Sequence, residues 1–440
     1  SGAAQVGDVV LTANTEATVT LTDGWTYSTA GVIDTLSPST GQYGTRVDIV
    51  GSNLRGAGAS VEKVALAGTD VLSIDSESNT LISVVADHAD AGAAAGSVMV
   101  WADTGALTTL DGSWQYLVEG AIADVSPASG QYGTRVEISG TGLFGGDTAL
   151  DSIVLAGTAA IEVSATDELV VAIAQASGQT VAAGDVVLTA VSGAIVTKSA
   201  GFEYLAAGTV SSVSPAGGQL GTLVTISGSG LLAGGSQFVE ISLGGVEVLE
   251  RISVSDSEIV VRADGSGAGL GNVRLVSDSG SVVTESDGWR YFTASTITGA
   301  SPSVGQVGTR VEITGTNLLG IQDGTEIVKV TLAGVEAEIV QGTSQDTINI
   351  IVTENVAGGA GDIFILADSG AYAVLEGAWT YPVLGEIGTI TPNVGQLNTE
   401  VTIAGVRMLG AGAAATKVWL AGTLAEILDS SETEITVRAV

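Results

Sequence analysis

Apolar and polar residues alternate along short segments of the chain, and these segments recur at a spacing of about 88 residues. In the first complete copy, Val47 and Ile49 are the apolar members of one such segment. The same pair returns as Val136/Ile138, Val224/Ile226, Val311/Ile313 and Val401/Ile403. An apolar face with a period of two residues predicts a half-buried β-strand. The pattern therefore predicts an all-β protein made of repeated units. The sequence contains no long helical periodicity.

Two turn positions flank this strand. Gly44 precedes it and Asn53 follows it. The same two positions are occupied in the other copies by Gly133, Gly142, Gly221, Gly230, Gly308, Asn317 and Asn398. Glycine and asparagine tolerate a positive φ, so we expect left-handed turns at these positions. The fifth copy has Arg407 at the second position, which leaves a different turn open there.

The opening of each copy resembles an IPT/TIG module. The first copy runs Ser37-Pro38, Gly41, Gly44-Thr45, Val47-x-Ile49 and Gly51-x-Asn53-Leu54. Including this one, the chain has five ordered copies with this spacing. The resemblance implies an immunoglobulin-like β-sandwich that serves as a spacer, adhesive or interaction module. The fold class expected is thus all-β, a linear tandem array of immunoglobulin-like (IPT/TIG) modules. In some intracellular transcription factors, domains of this family also contact DNA.

The repeat divides the chain into four modules and two half-modules. We call residues 30–118, 119–206, 207–293 and 294–383 modules I, II, III and IV. Residues 1–29 match only the back half of a module and form the leading half-module. Residues 384–440 match only the front half and form the trailing half-module. Linkers of a few residues separate the modules, which predicts contacts between neighbours and a stiff rod.

The two half-modules complete each other in sequence. Joining Val440 to Ser1 gives the same spacing between Glu434 and Gly7 as between Glu258 and Gly271 in module III. One interpretation is that the 440 residues are a window of a longer tandem protein. The other is that each chain donates its leading strands to the trailing half-module of the next chain. Both interpretations predict an extended fibre.

Charge narrows the possible partners. The chain has 14 basic and 48 acidic residues and a net charge of −34. Such a surface repels phosphate backbones, so nucleic-acid binding is not expected. Divalent cations are a possible partner, although no segment has the spacing of a calcium-binding loop. No apolar run approaches the roughly 18 residues of a membrane span in this segment.

Residues that could perform catalysis or hold a cofactor are scarce. The chain has no cysteine, and His88 is its only histidine, so neither a thiol nucleophile nor a repeated Ser-His-Asp set is available. The segment Gly140–Gly145 fits Gly-x-Gly-x-x-Gly, but no helix is predicted after it, so we interpret it as a turn. We expect a protein that is not an enzyme and has no cofactor and no bound structural metal.

Aromatic residues end every copy with a Trp-x-Tyr or Phe-x-Tyr segment. Paired aromatics on one face suggest packing in the core or between modules, and we assign them to the module junctions. They are Trp25, Tyr27, Trp114, Tyr116, Phe202, Tyr204, Trp289, Tyr291, Trp379 and Tyr381.

A second apolar set predicts a lateral interface. If Val98 and Val100 point into the sandwich, then Met99 and Trp101 point out. The same register turns further apolar residues outward, which gives the candidate set Val10, Met99, Trp101, Val187, Phe364, Leu366 and Trp419. An outward sheet face is normally polar, so this face is a candidate contact with another subunit.

These features together predict a function. We expect a non-catalytic structural or adhesive component of an extracellular or cell-surface filament, which associates with copies of itself or with neighbouring segments of the same long protein. The alternative is the stalk of a ligand-binding receptor or adhesin whose recognition head lies outside this segment.

Overall fold

The computed structural model describes residues 4–89, 95–178, 181–320, 324–340, 343–354 and 358–440. All regular secondary structure in these described residues is β-strand. The chain divides into two compact units. The first contains residues 1–207, 232–238 and 276–282, and the second contains residues 208–231, 239–275 and 283–440.

Module I shows the architecture that the other modules repeat. Its strands are β3 (Val32–Ser37), β4 (Thr40–Gly41), β5 (Arg46–Ser52), β6 (Val61–Leu66), β7 (Thr69–Asp70), β8 (Ser73–Glu77), β9 (Leu81–Val85), β10 (Gly96–Ala102) and β11 (Leu107–Tyr116). One sheet has the order β3-β5-β9-β8 and the other β4-β11-β10-β6-β7. All pairings are antiparallel except that of β4 with β11. Two packed sheets of this kind form a β-sandwich.

In its described residues, 4–29, the leading half-module contains the hairpin of β1 (Gln5–Thr12) and β2 (Thr18–Tyr27). Module II contains β12 (Ala121–Ser126), β13 (Ser129–Gly130), β14 (Arg135–Thr141), β15 (Leu150–Leu155), β16 (Thr158–Ala159), β17 (Ile161–Ala165), β18 (Leu169–Ile173), β19 (Val181–Ala190) and β20 (Ile195–Tyr204). It repeats the strand order of module I in both sheets.

Module III contains β21 (Thr209–Ser214), β22 (Gly217–Gly218), β23 (Leu223–Ser229), β24 (Phe238–Leu243), β25 (Val246–Glu247), β26 (Glu250–Val254), β27 (Glu258–Arg262), β28 (Gly269–Ser277) and β29 (Val282–Tyr291). Module IV contains β30 (Thr296–Ser301), β31 (Arg310–Thr316), β32 (Ile327–Leu332), β33 (Val335–Glu336), β34 (Glu338–Ile339), β35 (Thr347–Ile351), β36 (Gly359–Ala367) and β37 (Tyr372–Tyr381). The trailing half-module contains β38 (Glu386–Thr391), β39 (Glu400–Val406), β40 (Val418–Leu420), β41 (Thr423–Ser430) and β42 (Glu434–Arg438). It has no counterpart of β10 and β11 of module I.

The alternating apolar pairs lie in the sandwich cores. Val47 and Ile49 are fully buried, and they pair with Val84 and Ile82 of the neighbouring strand β9. Their partners across the sandwich are Val98 and Val100 of β10, which are also fully buried. The alternation of a pleated strand thus sends Met99 and Trp101 to the outer face, as the sequence predicts.

The aromatic residues that end modules I to IV are core residues, so their assignment to the junctions is corrected, whereas Trp25 and Tyr27 of the leading half-module are exposed. Trp114 and Tyr116 pack edge to face within the module I core, with ring centroids 5.5 Å apart. Phe202 and Tyr204 do the same in module II, and Trp379 and Tyr381 in module IV. Trp289 and Tyr291 form the same buried pair. Residues at i and i+2 share a strand face, and in these modules that face is the interior.

The turn predictions are confirmed by the backbone. Gly44, Gly133, Gly221, Gly308 and Asn398 all have φ between 70° and 88°. At the second position Asn53, Gly142, Gly230 and Asn317 have φ between 50° and 62°. Arg407 also adopts a positive φ of 52°, so the fifth turn does not differ. Five peptide bonds before proline, at Pro38, Pro127, Pro215, Pro302 and Pro392, are cis.

Two tryptophans of module I allow a matched test of the core. We expect Trp114→Ala to lower the free energy of unfolding of module I by about 3–5 kcal/mol because it leaves a large cavity. Trp101→Ala removes a half-buried side chain on the outer face, with Lys63 Nζ 5.2 Å from its ring centre, and should cost about 1 kcal/mol or less. Urea unfolding of both variants measures the difference. Equal losses would contradict this placement of the two rings.

Buried tyrosines predict a loss of stability in alkali. Burial, with a smaller contribution from Asp87, raises the pKa of Tyr116 to about 12. The folded state favours the neutral phenol. The stability that this preference contributes is complete below pH ~10, the ordinary pKa of tyrosine, and is lost as the pH rises to about 12. Tyr116→Phe should therefore make module I less sensitive to pH in this window, and the exposed Tyr132→Phe should not. Urea midpoints between pH 9 and 12 test this, and identical pH profiles for Tyr116→Phe and the wild type would contradict it.

Candidate functional site: the junctions between modules

A hydrogen-bonded turn begins each junction. In module I the turn is Gln42-Tyr43-Gly44-Thr45, in which the Thr45 amide donates to the Gln42 carbonyl over 3.1 Å. With φ of +85° at its third residue, it is a type II turn. The Thr45 hydroxyl accepts from the Gln42 amide at 3.0 Å. The hydroxyl contact recurs at Thr134, Thr222, Thr309 and Thr399, so all five turns have the same internal bond.

The same turn binds the hairpin of the next module through its backbone. In the first unit, the Arg46 amide donates to the Ser192 carbonyl (2.8 Å) and the Ile195 amide donates to the Tyr43 carbonyl (3.0 Å). The pair recurs as Arg135 to Ser279 and Val282 to Tyr132, also within the first unit. In the second unit it recurs as Leu223 to Ser369 and Tyr372 to Leu220. Each junction is thus a short stretch of strand pairing.

Glycines on both sides permit this close approach. A Cβ built on Gly193 would lie 2.9 Å from the Gly44 carbonyl oxygen, and one built on Gly44 would lie 2.8 Å from the Gly193 oxygen. The pairs Gly133/Gly280 and Gly221/Gly370 show the same mutual contact. Each of these glycines allows the close contact between modules and also adopts a positive φ in its own turn. The contact between modules, as well as the turn geometry, therefore favours glycine.

A buried glutamine completes the first junction. The Gln42 side-chain amide donates to the Ile195 carbonyl at 3.1 Å, and its oxygen accepts from the Gly120 amide at 2.7 Å. Gln219 occupies the same position in module III and is also buried, and its amide donates to the Ser295 hydroxyl. These glutamines were not among the residues predicted from the sequence. The available signal was that every copy has glutamine here: Gln42, Gln131, Gln219, Gln306 and Gln396.

The predicted lateral residues lie on the outer face of the five-stranded sheets and their equivalents. Met99, Trp101, Val187, Phe364 and Leu366 are half-buried, whereas Val10 and Trp419 are exposed. Trp101 is covered in part by Lys63, and Phe364 stacks on Tyr372 with ring centroids 5.8 Å apart. The residues are distributed over several modules, and their role as an interface between subunits stays a prediction.

Comparison with known proteins decides the family. The profile of the IPT/TIG domain matches residues 32–116, 209–288 and 295–381, which together make up more than half of the chain. The chain belongs to the IPT/TIG domain family. No curated protein matched it.

Several solved structures were matched to this IPT/TIG protein at low similarity. The full extracellular region of plexin A4 is 14% identical, with a TM-score of 0.35, and the alignment covers 93% of this chain and 42% of plexin A4. SGBP-B of the Bacteroides ovatus mixed-linkage glucan utilization locus is 15% identical, with coverage of 79% and 95% and a TM-score of 0.18. The surface glycan-binding protein PbSGBP-B of Prevotella bryantii is 14% identical, with coverage of 51% and 59% and a TM-score of 0.19. At TM-scores below 0.5 they support no functional inference.

One carboxylate in each of modules I, III and IV connects its hairpin turn to another loop of the same module. In the first unit the Asp278 carboxylate accepts from the Ser236 hydroxyl and amide, and these bonds lower the pKa of that carboxyl. Asp103 and Asp368 hold the equivalent loops of modules I and IV. Within the described ranges, no three His, Cys, Asp or Glu side chains cluster as metal ligands would. The same ranges contain no helix long and apolar enough to cross a membrane.

His88 lies beside the first junction. Its ring stacks on Tyr43 with centroids 3.8 Å apart, and its Nδ1 lies 2.8 Å from a Glu119 carboxylate oxygen. The side chain is mostly exposed, and its two contacts connect the turn of module I to the first residue of module II.

The glutamine provides a direct test of the junction. Gln42→Leu would leave the partly buried Gly120 amide and Ile195 carbonyl without this partner, and we expect a loss of about 1–3 kcal/mol in the coupling of modules I and II. Gln396→Leu, at the exposed equivalent position in the trailing half-module, should have no measurable effect. Hydrogen exchange at the Arg46 and Ile195 amides measures the coupling. Unchanged exchange in Gln42→Leu would contradict a structural role for the side chain.

Proposed function

We propose that this IPT/TIG array is a non-catalytic structural or adhesive component of an extracellular or cell-surface filament. The observation that supports it most directly is the repeated junction of two backbone hydrogen bonds and two mutually close glycines. Each hydrogen bond contributes about 0.5–1.5 kcal/mol, and two of them fix the register between neighbouring modules. A register fixed at each junction gives a stiff array suited to a filament.

The chemistry of the side chains supports a non-catalytic role. The chain has one histidine and no cysteine, and the Nδ1 of that histidine is already in contact with Glu119. The carboxylates with lowered pKa, such as Asp147 and Asp278, accept hydrogen bonds from other loops of their own modules. Carboxyl groups held ionised in this way stabilise loops and do not act as general acids near neutral pH.

Self-association of such a chain must overcome its own charge. A net charge of −34 repels another copy, and this repulsion is screened over about 10 Å at 0.1 M salt. Apolar side chains and backbone pairing therefore have to supply the attraction. The half-buried outer residues, such as Trp101 and Phe364, are the proposed lateral contacts. Divalent cations are proposed as diffuse counterions that favour association.

Electron microscopy of the purified 440-residue chain tests this proposal. We expect polymers whose amount rises with protein and salt concentration, and bundles formed by lateral contact. A double variant, Trp101→Asp with Phe364→Asp, should prevent bundles and leave single strings. Ile161→Asp, an exposed residue on the four-stranded sheet of module II, is the matched control and should still form bundles.

Two results would count against the proposal. If the chain stays monomeric at all salt and protein concentrations, self-association is wrong and the stalk of a surface receptor becomes the better explanation. If the double variant bundles like the wild type, the lateral contact does not involve this face.

A further inference from the structure

His88 is the only histidine of the chain, and it contacts both sides of the first junction. Its ring stacks on Tyr43, with the two ring planes 4° apart, and Tyr43 lies in the turn of module I. Its Nδ1 lies 2.8 Å from a carboxylate oxygen of Glu119, the first residue of module II. One side chain thus connects the turn of module I to the start of module II.

The two residues that this side chain contacts also belong to the hydrogen bonds between the modules. The Tyr43 carbonyl accepts from the Ile195 amide at 3.0 Å. Glu119 precedes Gly120, whose amide donates to the Gln42 side-chain oxygen at 2.7 Å. Movement of Tyr43 or of Glu119 would therefore move an atom that joins module I to module II.

The groups around His88 differ in the pH at which their residue types change charge. Among the described residues, the titratable groups in contact with His88 are Tyr43, Glu119 and Asp87. The Asp87 carboxylate accepts from the His88 backbone amide at 2.8 Å. Carboxyl groups ordinarily titrate near pH ~4 and tyrosines near pH ~10, whereas histidine does so near pH ~6.5. Of these residue types, histidine is the one that changes charge between about pH 5 and 8.

A positive charge on the imidazole strengthens both of its contacts. An imidazolium donates a charge-assisted hydrogen bond to a carboxylate, which is about twice as strong as a bond between neutral groups. An imidazolium on the face of a tyrosine ring also gains a cation–π attraction that a neutral imidazole lacks. Protonation of His88 should therefore favour the arrangement in which Tyr43 and Glu119 are both held.

We infer that Tyr43, His88 and Glu119 form a pH-sensitive clasp, in which protonated His88 holds the turn of module I against the start of module II. The clasp is complete while the imidazole is protonated, below about pH 6, and is lost as the ring loses its proton toward about pH 8. This inference goes beyond the proposed function, because it concerns a junction within one chain and holds whether or not copies associate.

The second junction has the same backbone bonds without the histidine. The position of His88 is occupied in modules II, III and IV by Ala176, Gly265 and Glu354. At the second junction the Val282 amide donates to the Tyr132 carbonyl over 3.1 Å, as Ile195 does to Tyr43 at the first. The Val282 amide is therefore an internal control for any effect of pH that does not depend on the clasp.

Exposure limits the size of the effect. The side chain of His88 is 64% exposed and that of Glu119 is 36% exposed. Ion pairs at this exposure shift an equilibrium by about 1.5- to fivefold, and salt screens them. The clasp should therefore adjust the opening of the first junction and not abolish it.

Hydrogen exchange of the whole 440-residue chain tests the clasp. Protection factors, which divide the exchange rate of an unstructured amide by the observed rate, remove the direct effect of pH on exchange. We expect the protection of the Ile195 amide to be about 1.5- to fivefold higher at about pH 5.5 than at about pH 7.5. The protection of the Val282 amide should be the same at both. Salt at about 1 M should reduce the difference at Ile195.

Two substitutions separate the charges from the hydrogen bond. Glu119→Gln keeps an acceptor for the ring and removes the negative charge, whereas His88→Asn keeps a donor that cannot gain a proton in this range. In both variants the protection of the Ile195 amide should be equal at the two pH values. The protection of Val282 should stay at its wild-type value, which also shows that each variant is folded.

Each outcome decides for or against the clasp. A pH-dependent protection of Ile195 that disappears in Glu119→Gln and in His88→Asn supports it. The clasp is overturned if the protection of Ile195 in the wild type does not depend on pH, or if it changes to the same extent as that of Val282. It is also overturned if Glu119→Gln keeps the pH dependence of the wild type.

Discussion

The structure depends on a tight turn with a positive φ at its third residue. In Gln42-Tyr43-Gly44-Thr45 the turn is closed by two internal hydrogen bonds, one to backbone and one to the Thr45 hydroxyl. Its outer edge offers the Tyr43 carbonyl and the Arg46 amide, which bind the hairpin of module II. One turn therefore both begins a core strand and fixes the position of the next module. A side chain at Gly44 or Gly193 would separate the two backbones.

The modules are small and have no disulfides, so their interiors must supply the stability. A domain of this size buries about 60–65% of the surface of its unfolded chain, which leaves little excess free energy. Large rings such as Trp114 and Tyr116 are accordingly placed at the centre of each sandwich. Burial of these rings leaves Trp114 Nε1 and the Tyr116 hydroxyl without a hydrogen-bond partner among the described residues, which costs free energy. Apolar contact of the rings outweighs these unsatisfied groups.

Both sheets of each sandwich contribute to its interior. A β-sandwich holds its sheets together only when both contribute side chains to the core. In module I one sheet contributes Val47 and Ile49, and the other contributes Val98 and Val100. The acidic surface limits nonspecific contact between chains and leaves the apolar contacts inside the modules.

The sequence by itself determined the local features. Repetition of Val-x-Ile and of the glycine and asparagine positions was sufficient for the strands, the left-handed turns and the IPT/TIG family, since these depend on residues close together in the chain. It also placed Met99 and Trp101 on the outer face, because side-chain direction in a strand follows a period of two. The unchanged turn at Arg407 shows that position in the repeat outweighs the preference of one residue.

Tertiary structure alone decided which surfaces meet. The aromatic pairs could equally have packed between modules, and only the stacking of two sheets places Trp114 and Tyr116 inside one module. Pairing of Tyr43 and Arg46 with residues about 150 positions away uses backbone atoms, which every residue has, so no side-chain pattern reveals it. Gln42 marked the junction in sequence, but its two partners, Gly120 and Ile195, are defined only once both modules have folded.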